Sequence, residues 1–223
     1  MTASKTAVIT GANRGIGLEL ARQFAGQGYS VFGVCRESSD ELNAIATSVI
    51  DGIDVTSETD VRTLVSKLKD TTIDLLINNA GLIQDEKLGS IDFDSIRTQM
   101  EINAYAPLRI AEALVSQIPE GGKIANITSR MGSIADNDSG GRYGYRASKA
   151  ALNAFGKSLA MDLKPRGIAV AQLHPGYVQT RMVNFGGLIS PEEAARGLVA
   201  IIDGLNLENT GSFWHSNGEE LPW

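Results

Sequence analysis

Tyr145 and Lys149 stand four residues apart in Tyr-Arg-Ala-Ser-Lys. On a helix this spacing puts both side chains on one face, so an ammonium can lie beside a phenol and favour its anion. A free phenol titrates near ~10, and lowering it by about two units takes roughly 2.7 kcal/mol, within reach of a close cation in a partly dry site. Such a pair can pass a proton to or from a substrate oxygen near neutral pH. Ser129 closes the apolar stretch Asn126-Ile-Thr-Ser129. Its hydroxyl can hold an oxygen on which charge develops, although a serine after a strand is more often a turn or cap residue.

A second constellation opens the chain: Thr10-Gly-Ala-Asn-Arg-Gly-Ile-Gly17. Gly11, Gly15 and Gly17 allow a tight turn and a close approach by a bulky anion, with Asn13, Arg14 and Ile16 between them. The loop follows an apolar strand and precedes a helix, where a nucleotide's phosphates would sit. By itself it is equally a strand-to-helix turn without a ligand; its place at the first such junction of an alternating chain favours the nucleotide. After the second strand a carboxylate would hold a ribose 2′-hydroxyl and repel a 2′-phosphate. Cys35 and Arg36 stand there instead. Guanidinium groups match phosphate geometry, so Arg14 and Arg36 together predict NADP(H) as cofactor. A proton donor and a hydride carrier on one scaffold point to oxidoreductase chemistry.

The elements that must position these residues alternate. Strands are expected at 6–10, 30–35, 48–51, 75–78, 123–128, 168–173 and 212–214, with helices at 16–27, 57–69, 93–116, 145–163 and 191–203. Near-continuous apolar runs such as Asp74-Leu-Leu-Ile-Asn78 suit strands buried on both faces, and the alternation predicts a doubly wound parallel sheet. Ser190-Pro-Glu-Glu193 reads as a capped helix start, and Lys164-Pro-Arg-Gly167 as a helix end. The polar run Asp136-Asn-Asp-Ser-Gly-Gly141 reads as an exposed loop before the Tyr145 helix.

Bulk properties narrow the function classes. The 223 residues suit one α/β unit. A net charge of -6, with basic residues scattered, argues against a nucleic-acid surface. Cys35 is the single cysteine, so no internal disulfide forms and a reducing, cytoplasmic setting is expected. His174 and His215 fit no metal-ligand spacing, so no metal is expected. No stretch has the length and apolarity of a membrane span, so no membrane partner is expected either.

The ordered set Thr10–Gly17, Asp54-Val55, Asn78-Asn-Ala-Gly81, Asn103, Ser129, Tyr145-x-x-x-Lys149 and Pro175-Gly-x-Val-x-Thr180 resembles the short-chain dehydrogenase/reductase family over nearly the whole chain. Three stretches are similar to the branch that contains insect Sniffer and bacterial C-factor-like carbonyl reductases: Ser133-Ile-Ala-Asp-Asn-Asp-Ser-Gly-Gly-Arg142, Tyr143-Gly-Tyr-Arg-Ala-Ser-Lys149 and Gly218-Glu-Glu-Leu-Pro-Trp223. The resemblance implies one Rossmann-type domain over residues 1–223, a doubly wound seven-stranded parallel sheet with helices on both faces. It implies Tyr145 as general acid, Ser129 as the holder of the substrate oxygen, and Lys149 as the phenol's electrostatic partner and a donor to the nicotinamide ribose. Asn103 would bind a water that links Lys149 to solvent. Asp54 would accept from the adenine amino group with Val55 beside the ring. Asn79, Ala80 and Gly81 would line the adenosine ribose, whereas Asn78 is as readily structural. Pro175, Gly176, Val178 and Thr180 would wall the nicotinamide, with His174 structural.

The loop between Ser129 and Tyr145 is longer than in many relatives, and it is expected to shape the substrate mouth. Residues 181–189 are too few for the helical lid that many relatives carry. An open, shallow pocket bordered by Met131, Ile134, Tyr177 and Met182 follows, suited to a small-molecule carbonyl substrate such as a ketone, diketone or quinone. Small residues along 147–159 are consistent with a homodimer and equally with a contact inside the chain. The competing function is an NADP(H)-binding signalling or sensor protein with little turnover; a methyltransferase is disfavoured by Arg36 where an acid would be expected.

Overall fold

The computed structural model describes residues 4–223. In chain order the elements are β1 (Thr6–Thr10), α1 (Gly15–Gly26), β2 (Ser30–Val34), α2 (Asp40–Ile45), β3 (Ser48–Ile50), α3 (Glu58–Lys67), β4 (Leu75–Asn78), α4 (Phe93–Met100), α5 (Ala106–Leu114), β5 (Lys123–Ile127), α6 (Tyr143–Leu163), β6 (Ala169–His174), α7 (Pro191–Gly204) and β7 (Phe213–His215). A π turn, Glu101–Tyr105, joins α4 to α5.

All pairings are parallel, in the order β3-β2-β1-β4-β5-β6-β7. The strands are mainly apolar because both faces are covered. Ala7 and Ile9 of β1 join Leu20 and Phe24 of α1 and Leu198 and Ile202 of α7 in one core. Val8, pointing the other way, joins Leu64 of α3, Ile110 of α5 and Leu163 of α6 in the second. The chain runs outward from β1 to β3 and then returns to lay β4 on the other side of β1. That reversal opens a crevice beyond the carboxyl ends of β1 and β4, where doubly wound sheets bind ligands.

A buried polar ladder sets the depth of α6 on this sheet. Asn78 Nδ2 donates to Asn126 Oδ1 (2.9 Å), and Asn126 Nδ2 donates to Gln172 Oε1 (3.1 Å). Gly156 packs on the ladder so closely that a Cβ there would lie 1.9 Å from Gln172 Oε1. Asn78 is therefore a structural member of the sheet.

Where sequence and structure differ, a local reason is visible. The helix expected over 93–116 is split by the π turn at Asn103. α2 was not foreseen: Ser39 Oγ accepts from Leu42 N, and the six-residue helix buries one side chain, Leu42, too few for a period to show. α6 begins two residues earlier than expected, at Tyr143, and ends at Leu163, where Lys164–Arg166 tightens into a 3₁₀ turn before Gly167 at φ 73. Ser190 caps α7 as expected, its Oγ accepting from Glu193 N (3.1 Å).

Candidate active site

The glycine loop leaves β1 through Gly11 (φ 64) and enters α1 after Gly15 (φ 55), both in the left-handed region that glycine tolerates best. A Cβ on Gly17 would come within 2.3 Å of Gly11 O, so the loop closes on itself with no room for a side chain. α1 has no side-chain cap and no acid in its first turn. Its leading N–H groups and positive dipole end are thus available to an anion, and the residues present fit a dinucleotide's phosphates. Asn13 ties the loop to the segment that follows β2 through its Nδ2, which donates to Glu37 O (2.8 Å).

Asn79 does something the sequence did not reveal. Its Nδ2 donates to Thr10 O (3.0 Å) and Gly11 O (3.1 Å), while Asn79 N and Ala80 N both donate to Thr10 Oγ1. The side chain expected to line a ribose braces the glycine loop, with Thr10 as its partner from across the crevice. Asp54 Oδ1 accepts from Thr56 N (2.9 Å) and Thr56 Oγ1 (2.7 Å). These bonds, led by the Thr56 backbone N–H and assisted by the nearby Arg36 charge, hold the Asp54 carboxyl below its usual range against the opposing effect of burial.

On the far side Gly176 (φ 90) turns the chain after β6, and Ser216 Oγ donates to Pro175 O (3.0 Å). Val178 pairs with Ile189, so residues 181–189 fold back as a short 3₁₀ turn at Arg181–Val183 and not as a lid helix. A Cβ on Gly15 would sit 3.4 Å from Thr180 Cγ2, which brings the Pro175–Thr180 segment against the glycine loop across the crevice.

Ser129, Tyr145, Lys149 and Asn103 converge at the carboxyl end of β5 and the start of α6, all buried. Lys149 Nζ donates to Ile127 O (2.8 Å) and lies 5.9 Å from the centre of the Tyr145 ring. Burial raises the Tyr145 phenol above its ordinary value; a hydrogen bond with the Ser129 hydroxyl and the Arg142 charge pull it back down. Burial also pushes the Lys149 ammonium down to about 7. At the phenol, Ser129 and Arg142 offset part of the effect of burial, and the phenol stays above its ordinary value.

Asn103 sits in the π turn. Its Oδ1 accepts from Leu82 N (2.8 Å) and its Nδ2 donates to Leu82 O (2.7 Å) and Ser148 Oγ (3.0 Å). It therefore pins the chain after Gly81 to α6, one residue before Lys149. A Cβ on Gly81 would lie 3.4 Å from Asn103 Oδ1 and 3.8 Å from Lys149 Nζ, so all three groups face one point. His174 is half-buried and edge-on to His215 (4.8 Å); burial, chiefly, lowers it to about 3, which keeps it neutral.

Two cavities of about 220 and 250 Å³ lie along the segment that leads from Ser129 into α6, and neither is lined by Ser129, Tyr145, Lys149 or Asn103. Met131 lines both and Ile134 lines the second, but neither includes Tyr177 or Met182, which are about half exposed. The first is walled instead by Asp85, Lys87 and Arg142, and both by Arg146. Pocket-wall residues on a loop and its neighbour leave no period in a sequence, and only the polar run before Tyr145 hinted at them. Among the described residues no cluster of acidic, His or Cys side chains could hold a metal, and no helix is long and apolar enough to cross a membrane.

This geometry, a glycine cradle facing a buried Ser–Tyr–Lys–Asn cluster across the crevice of a doubly wound sheet, matches a known family. Residues 5–186 match the family model for short chain dehydrogenase, and the chain belongs to the short-chain dehydrogenase/reductase family of oxidoreductases. It is 41% identical over 98% of its length to 1-hydroxy-2-glutathionyl-2-methyl-3-butene dehydrogenase of Rhodococcus sp. (strain AD45), covering 99% of that protein. It is 42% identical to the C-signal protein of Myxococcus xanthus over 68% of this chain and 93% of that one. A carbonyl reductase from Pseudomonas aeruginosa PAO1, solved in complex with NADP, superposes with a TM-score of 0.87 at 33% identity, over 99% of this chain and 100% of that one.

Proposed function

We propose that the protein is an NADPH-dependent carbonyl reductase acting on ketone, diketone or quinone-type carbonyls. The observation that carries this reading is the convergence of buried Ser129, Tyr145 and Lys149 beside the glycine cradle, with Arg36 where a 2′-hydroxyl-binding acid would stand. The likeness to a carbonyl reductase solved with NADP supports it. When bound, the cofactor supplies the hydride. Gly11, Gly15, Ile16 and Gly17 receive its pyrophosphate, Arg14 and Arg36 its 2′-phosphate, Asp54 and Val55 the adenine, and Pro175, Gly176, Val178 and Thr180 the carboxamide side.

Ser129 donates to the substrate oxygen and Tyr145 delivers the proton there as negative charge develops. Lys149 offers donors to the ribose hydroxyls, and its low pKa lets it return a proton to the phenol near neutral pH. Asn103, through its remaining lone pair, holds the water that connects Lys149 to solvent. Met131 and Ile134 border the substrate, with Tyr177 and Met182 further out on the rim. The reading extends to a cytoplasmic homodimer, its mass to be measured in solution by light scattering.

A second reading, a dinucleotide-binding signalling protein with little turnover, is favoured by the 42% identity to C-signal. A carbonyl panel assayed with both cofactors separates the two. The enzyme oxidises NADPH with diketones and quinones faster than with small keto acids, and Arg36→Asp raises the KM for NADPH by about a hundredfold while altering that for NADH far less. Binding without turnover on any carbonyl favours the signalling reading, and equal losses for both cofactors contradict the phosphate-binding role of Arg36.

A further inference from the structure

The segment between Ser129 and Tyr145 contributes walls to both cavities, yet after the turn Arg130–Gly132 it has no helix or strand of its own until α6. Something outside it must hold it. At its start three donors converge on one atom: Ile134 N, Ala135 N and Ser133 Oγ each donate to the Trp223 main-chain oxygen at 3.0 Å. Ser133 is buried and its Oγ also accepts from Asp136 N, which closes the turn. Trp223 is itself anchored to the sheet. Its ring stacks on buried Phe213 of β7 at 5.5 Å, and Leu221 N donates to Phe213 O. On the inner side Gly132 is pressed onto α6, where a Cβ would come within 2.7 Å of the Lys149 carbonyl carbon.

The far end of the segment is held by one buried residue, Glu86, through its main-chain oxygen and its carboxylate. Arg142 N donates to Glu86 O, and Gly144 N donates to Glu86 Oε2, both at 3.0 Å. α6 has no side-chain cap of its own and no acid in its first turn, so Glu86 supplies both from another part of the chain. The second carboxylate oxygen accepts from Ser95 Oγ and Gln99 Nε2, both at 2.5 Å, which fixes Glu86 to α4.

We propose that Trp223 and Glu86 are positioning residues that fasten the two ends of the 133–142 loop, and thereby set the substrate mouth relative to Ser129 and Tyr145. Fastened at both ends, the loop presents its cavity walls in one arrangement without secondary structure of its own. Released, it leaves bulky carbonyls without a wall while the glycine cradle stays intact.

The effect on selectivity rests on the carbonyl reductase reading; the fastening itself does not. Hydrogen exchange is therefore compared between the intact chain and three variants: deletion of Trp223, Ser133→Ala and Glu86→Gln. Deletion of Trp223 is expected to speed exchange in 133–142 by tenfold or more, on the order expected when a segment opens locally, with β1, β4 and β5 unchanged. Ser133→Ala, which removes one of the three bonds to Trp223 together with the Asp136 N bond and leaves the ring stack alone, is expected to act in the same place more weakly. Glu86→Gln is expected to speed the first turn of α6. With turnover, KM for a bulky diketone rises relative to that for a small ketone by about tenfold in the deletion, and Trp223→Phe, which keeps both the stack and the main-chain oxygen, restores the ratio. Unchanged exchange in 133–142, or a rise spread evenly over the chain, overturns the proposal. An unchanged KM ratio alongside faster local exchange overturns the role in selectivity.

Discussion

Lys149 is the residue at which stability and chemistry oppose each other. An amine this deep in the protein favours its neutral form, and its pKa falls from 10.5 to about 7. Between those values the unfolded chain carries the proton and the folded one does not, so stability falls as pH drops from about 10.5 toward 7 and the full penalty persists below it. The shift bounds that penalty at about 5 kcal/mol. Removing the amine also leaves Ile127 O without its donor, a loss of about 1–3 kcal/mol. Lys149→Met is therefore expected to be inactive yet about 1–3 kcal/mol more stable than the parent at pH 6, with the advantage gone at pH 10. Urea unfolding at the two pH values checks this; the same difference at both would mean that the amine titrates normally. The placement of Tyr145, Lys149 and Ser129 in one buried cluster was legible because its signals are local: a four-residue spacing and a strand end. The bracing of the glycine loop by Asn79 and Thr10 was not, since it joins positions 69 residues apart.

Among the elements, the π turn at Glu101–Tyr105 bears most directly on the site. One extra residue in the turn aims Asn103 inward, where an unbroken α-helix would carry its side chain elsewhere, and π turns often mark functional sites for this reason. Asn103 makes three hydrogen bonds there and is fully buried. Asn103→Ala leaves Leu82 N, Leu82 O and Ser148 Oγ short of partners, and a stability loss of about 2–4 kcal/mol is expected. kcat should fall as well, because the same contacts tie the segment after Gly81 to α6. Asn103→Leu, which fills the space without restoring the bonds, should recover little of either. Denaturant midpoints and kcat measured on both variants check this, and a loss below about 0.5 kcal/mol would mean that solvent takes over the bonds. The one local mark of this element in the sequence is a poor helix former, Asn103, inside the helix expected over 93–116, with Pro107 four residues on. Its geometry left no such mark, because it depends on Leu82 and Ser148, 21 and 45 positions away.

At the scale of the whole molecule, the alternation of apolar runs and helical periods was enough to predict a parallel sheet covered on both faces, and it is observed with seven strands. Strand ends shifted by a residue or so, since the last residue of a strand is set by its neighbour's register and not by its own apolarity. The two cavities beside α6 were the least legible part. Their walls come from a loop, from the residues after Gly81 and from the α6 start, brought together only when the sheet is complete. That assembly puts one phenol at the crevice, and the account depends on it. The direct test is steady-state NADPH oxidation by the intact protein and by Tyr145→Phe over a panel of ketones, diketones and quinones. The phenylalanine variant keeps the ring and loses the proton. The account predicts turnover by the intact protein and a fall in kcat of about 10²–10⁴-fold in the variant, with NADPH affinity unchanged within a few-fold. Retention of most of the activity by Tyr145→Phe, or no NADPH oxidation with any carbonyl, would contradict it.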